Sequence, residues 1–69
     1  MSAEEKELKK LKGDIKEDLR ELFESYLKVF DYDIPEANDK EASALIVNTM
    51  QSALEELKDD IINGKYDNF

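Results

Sequence analysis

Three groups of carboxylates carry whatever chemistry this chain can do. Glu55, Glu56, Asp59 and Asp60 stand together, with Lys58 as the one opposing charge among them. Glu56-Leu57-Lys58-Asp59 reads E-x-x-D, a spacing that puts two carboxylates on one face of a helix. Glu17, Asp18 and Glu21 form a second acidic group. Oxygen ligands that converge from neighbouring helices can hold Mg²⁺. Asp31-x-Asp33 opens like a calcium loop, but Pro35 stands where the third ligand is needed and Ala42 where the bidentate Glu belongs, so an ordinary polar turn is expected. The absence of His and Cys excludes Ser–His and Cys–His nucleophiles and thiolate metal sites. Gly13 and Gly64 are isolated, so there is no phosphate-cradling glycine loop. Carboxylates used for acid–base work need burial to tune them, and these fall on solvent faces. No catalytic residue, metal site or cofactor is expected.

The acidic group near the C-terminus points instead to binding. The last turns of a helix carry partial negative charge and favour Lys or Arg. Here they carry acids, and Glu55 with Asp59 and Glu56 with Asp60 are like-charge pairs one turn apart, each costing a few tenths of a kcal/mol, ~0.2–0.5. A chain that obeys local rules elsewhere and breaks them once often marks a functional surface. The whole chain has 10 bases against 18 acids, a net charge of −8. That argues against direct contact with nucleic-acid phosphates, which require a basic surface, and against anionic membranes. It favours a basic protein partner, for which a nucleic-acid-binding protein or a nuclease is the natural example. The plainer alternative is that the charge only keeps the chain dispersed.

Two short stretches resemble known families. Glu17, Asp18 and Glu21 with the later Glu56-x-x-Asp59 resemble the E-E and E-x-x-D ligand set of the all-α nucleoside-triphosphate pyrophosphohydrolases, which implies as an alternative a Mg²⁺-dependent nucleotide hydrolase. Ile46-Val47-Asn48-Thr49 is similar to a piece of the last helix of colicin nuclease immunity proteins, which implies an inhibitor. The first resemblance rests on a handful of acids and the second on four residues.

The elements that must position these groups are two helices. Ser2-Ala3-Glu4-Glu5 is a capping box. Leu8, Leu11, Ile15, Leu19, Leu22, Tyr26 and Val29/Phe30 then recur at steps of three and four, predicting an amphipathic helix over about residues 2–30. The stripe keeps its phase across Gly13, so a continuous or mildly bent helix is expected there, with a more mobile first segment. Pro35 disfavours helical geometry at Ile34, placing a loop over 31–38. Asn38 with Glu41 begins a second helix, over about 39–63. Gly64 then sits where a left-handed cap belongs, before a tail over 64–69. Tyr32, Ile34, Pro35, Tyr66 and Phe69 are expected to plug the ends. The expectation is one all-α domain, an antiparallel helical hairpin.

One hairpin does not cover its own apolar residues. Ala44, Leu45, Ile46 and Val47 are consecutive and point around most of the helix. Leu22, Phe23, Tyr26, Leu27, Val29 and Phe30 widen the first helix in the same way. A homodimer forming a four-helix bundle is the simplest cover, a higher oligomer the next. Leu22, Tyr26, Val29, Leu45, Ile46, Val47, Met50 and Leu54 are the expected interface.

Charge divides at the loop: eight acids and seven bases run through Phe30, and ten acids and three bases follow. The bases Lys9, Lys12, Lys16 and Arg20 form a line level with Glu55–Asp60 in an antiparallel hairpin, where they either neutralise it or leave it free. The sequence thus suggests a non-enzymatic acidic binding protein, of phage-inhibitor, immunity or nucleic-acid-mimic type. Its partner surface would be Glu55, Glu56, Asp59 and Asp60 with Asp31, Asp33 and Glu36. The alternatives are a purely structural bundle, the metal-dependent hydrolase, and an oligomer sequestering small phosphorylated ligands on the basic line. No apolar run approaches the ~20 residues of a membrane span. Met1–Lys12 is too charged for a signal peptide, so a cytoplasmic setting is expected, of the host if the gene is viral.

Overall fold

The computed structural model describes residues 1–69 and contains two helices and no strand. Helix α1 spans Ala3–Asp33 and helix α2 spans Asp39–Ile62. Each end has a local cause. The Ser2 hydroxyl accepts from the Glu5 N–H at 3.0 Å, and the Ser2 N–H donates to the Glu5 carboxylate at 3.1 Å, completing the capping box. Helix α1 runs unbroken through Gly13. It extends three residues beyond the Phe30 boundary read from sequence and stops at Ile34, whose φ −128° and ψ 87° are the extended geometry that a following proline imposes. The loop is therefore 34–38, shorter than expected. Asp31 and Asp33 therefore stand in the last turn of α1, so the preference for bases there is broken at both helix C-termini and not once; the opposition of these acids to the dipole is too weak to end a continuing hydrogen-bond ladder.

At the start of α2 the Asn38 side chain accepts from the Glu41 N–H at 3.1 Å. At its end the Gly64 N–H donates to the Ile61 carbonyl at 3.1 Å and the Lys65 N–H to the Asp60 carbonyl at 3.0 Å, the paired closure of a Schellman motif. Gly64 supplies the φ of +83° which that motif requires. The Lys65 ammonium then reaches the Asp60 carboxylate at 3.6 Å. In the tail the Tyr66 and Phe69 rings lie 5.7 Å apart, but Phe69 is fully exposed, as Tyr32 nearly is, so neither plugs an end.

Burial between the two helices is confined to their loop-proximal halves. Ala42 and Ile46 are the sole buried residues, 4% and 7% accessible. Phe23, Leu27 and Phe30 on α1 and Met50 on α2 are half-buried around them. Farther from the loop every large apolar residue of both helices is exposed. The molecule measures 48 × 27 × 17 Å. Its breadth exceeds the roughly 20 Å of two helices packed side by side, so the far halves diverge.

The divergence has a cause in the residues. Phe23, Leu27 and Phe30 lie on one line of α1 that continues toward the N-terminus, at steps of three and four, as Lys9, Lys12, Lys16 and Arg20. The line of α2 that holds Ala42, Ile46 and Met50 continues as Ala53 and Leu57. Near the loop apolar meets apolar. Beyond it, close packing would press four cations onto an apolar line, and an unpaired charge resists leaving water.

Candidate functional site

Periodicity on α2 sorts the acidic group into two directions, since successive residues turn by about 100°. Glu55 and Asp59 lie on the side opposite Ile46 and form the outer edge of α2. Glu56 and Asp60 continue the line of Thr49 and Ala53 and border the groove between the helices. Glu55, Glu56 and Asp59 make no ion pair, and Asp60 makes one, with Lys65. The other ion pairs are Lys10–Glu7 at 3.7 Å and Arg20–Glu17 at 3.4 Å, both within α1. The bases of α1 therefore do not neutralise the acids of α2 across the hairpin. All three pairs are open to solvent and contribute little, about 0–1 kcal/mol each.

The loop-end acids behave differently. Asp33 and Glu36 are exposed. Asp31, in the last turn of α1, lies beside Asp39, the first residue of α2. A side-chain hydrogen bond with Asp39, with desolvation and the negative charge of Asp39 behind it, raises the Asp31 carboxyl above the ordinary carboxylate range.

Glu17, Asp18 and Glu21 lie on the sides of α1 away from the Phe23–Phe30 line that meets α2, so they do not converge with Glu56 and Asp59. No group of three or more potential ligands forms a metal-binding cluster. No helix is long and apolar enough to cross a membrane.

The residues expected to meet a second copy are placed unevenly. Ile46 is buried inside the hairpin and Met50 half-buried. Ile46 therefore belongs to the internal contact, because it faces the Phe23–Phe30 line. Leu22, Tyr26, Val29, Leu45, Val47 and Leu54 are exposed, each near half of its surface. From the sequence pattern, the uncovered surface is expected only in the loop-proximal halves. In the structure it extends along both helices, to Leu8, Leu11, Ile15 and Leu19 on one and to Leu57 and Ile61 on the other. The signal was readable: the cationic and aromatic residues of α1 share one line, so its long aliphatic stripe has to face elsewhere.

The total accessible surface is 6312 Å². A compact monomer of 8.0 kDa exposes about 4,450 Å². The excess, about 1,900 Å² per chain, matches what a standard-sized interface buries over both of its partners.

The chain matches no protein-family model, and neither a curated protein nor a solved structure is significantly similar to it.

Proposed function

We propose that this chain is a non-enzymatic, self-associating helical binding module whose acidic α2 edge docks on a basic protein surface. Glu55 and Asp59 form the centre of that edge, with Glu56 at its border; Asp60 contributes less, because Lys65 already holds it. Asp31, Asp33 and Glu36 at the loop extend the negative field. A partner that normally binds nucleic acid offers the complementary charge, which makes inhibition by mimicry the natural mode of action. The observation behind this reading is that Glu55, Glu56 and Asp59 have no ion partner although the neighbouring helix carries the line Lys9, Lys12, Lys16 and Arg20.

The self-association is proposed from the surface excess: two hairpins completing a four-helix bundle cover apolar residues that one leaves in water. The same excess favours a second reading, a purely structural bundle whose charge serves only solubility.

Affinity capture with the wild type and with the variant carrying Glu55→Lys, Glu56→Lys, Asp59→Lys and Asp60→Lys separates the two readings. A protein retained by the wild type, lost at high salt and lost with a variant that keeps its helical spectrum supports docking. Equal retention by both chains rejects it in favour of the structural reading.

A further inference from the structure

The hairpin has two broad sides, and they differ. On one, Leu22 and Tyr26 of α1 and Leu45 and Ala53 of α2 line a groove that no charged residue enters. Ile15 continues the α1 wall of that groove, one heptad step from Leu22. The α2 line on this side runs on from Ala53 to Glu56 and Asp60, and Asp18 stands on the far border of α1. Asp60 is partly matched by Lys65 at 3.6 Å. This side is apolar with an acidic rim.

On the opposite side Val47 and Leu54 of α2, with Leu19 of α1, supply the apolar surface, continued on α2 at the heptad step by Ile61. Lys16 and Arg20 of α1 line that groove, Lys9 continues their line, and Lys58 stands on the far border of α2, with Glu55 beyond it. Arg20 is partly matched by Glu17 at 3.4 Å. This side is apolar with a basic rim.

We propose that copies of this chain associate face to back, the acid-rimmed side of one hairpin seated on the base-rimmed side of the next. The inference rests on the self-association proposed above and adds the way the copies are related. Two observations carry it. Joining like sides would bring two acidic rims, or two basic ones, into one contact, whereas joining unlike sides brings opposite charges together around an apolar centre. The excess surface, about 1,900 Å² per chain, is also more than twice the roughly 800 Å² that one partner contributes to a standard interface. A two-fold dimer covers one side of each hairpin and leaves the other wet; a face-to-back contact uses both. Such contacts close into a ring or continue as a stack.

The test uses the whole chain and two variants in sedimentation velocity. Glu56→Lys with Asp60→Lys spoils the acid-rimmed side, and Lys16→Glu with Arg20→Glu spoils the base-rimmed side. Each variant alone is expected to associate at least about tenfold more weakly than the wild type. Mixed in equal amounts, they are expected to regain association, because one chain then carries basic rims on both sides and the other acidic rims on both. A wild type that is monomeric at high concentration overturns both this inference and the self-association beneath it. A wild type that associates, with one variant unaffected or no recovery on mixing, overturns the face-to-back arrangement alone. If either reversal costs helicity, the neutral variants Glu56→Gln with Asp60→Asn and Lys16→Gln with Arg20→Gln replace them, and weaker association than the wild type at low salt, with the difference shrinking at high salt, is the expected result for each; no difference from the wild type in either overturns the arrangement.

Discussion

Diluting this protein is expected to lower its melting temperature. With Ala42 and Ile46 alone buried, a single hairpin has little to hold its helices together, and helices in proteins draw most of their stability from packing. If the folded state is a two-chain unit, each tenfold change in concentration shifts its stability by about 1.4 kcal/mol. Unfolding gains about 2.1 cal/mol/K per residue, so two chains of 69 residues gain about 0.29 kcal/mol/K. The quotient is a shift of about 5 °C per tenfold in concentration, or about 10 °C over a hundredfold range. Far-UV circular dichroism melts at several concentrations read this directly. A midpoint that stays constant over a hundredfold range, with the helical signal intact, refutes the argument that these apolar sides need a second chain.

Three further outcomes test the fold. Ile46→Ala removes the largest buried side chain and is expected to cost about 2–3 kcal/mol in urea titrations at fixed concentration, toward the low end for such truncations because the site is shallow and can relax. Gly13→Ala is expected to stabilise by about 0.5–1 kcal/mol in the same assay, since nothing lies within 4 Å of the added Cβ and the helix is continuous there. Asp31→Asn is expected to raise the melting temperature at neutral pH. The Asp31 carboxyl is raised above its ordinary 3.8 in the fold, so folding takes up a proton in that window and stability falls as pH rises through it. The advantage of the Asn variant therefore shrinks as pH falls through the raised range and is gone below the ordinary Asp value. An advantage independent of pH contradicts the Asp31–Asp39 contact.

Helix existence and most boundaries were legible because they follow from short-range chemistry. Ser2 with Glu5, Asn38 and Gly64 each act within one turn, and each was readable from residue type and spacing. Helix α1 ends three residues beyond its expected boundary because the steric restriction at Ile34 outweighs the weak electrostatic preference at Asp31 and Asp33. The candidate site was legible in its members but not in its directions. Glu55, Glu56, Asp59 and Asp60 read as one surface, and only the placement of Ile46 against α1 shows that two of them border a groove while two point away. The interior position of Ile46 was hidden for the same reason: a run such as Ala44–Val47 is apolar around the helix and does not say which residue faces inward.

The two proposals bear on each other through charge. Stacked hairpins would set neighbouring layers about 10 Å apart, the distance between packed helices. The outer edge of each α2, with Glu55 and Asp59, lies on neither broad side, so a stack would repeat that edge once per layer. About 10 Å is also the distance over which charges remain unscreened at moderate salt. Successive acidic edges would therefore repel, and growth would work against that repulsion. A basic partner lying along the edge would relieve it, so partner binding and association would each strengthen the other, as linkage requires. The acids that look misplaced on an isolated α2 would then be what makes assembly responsive to a cationic surface.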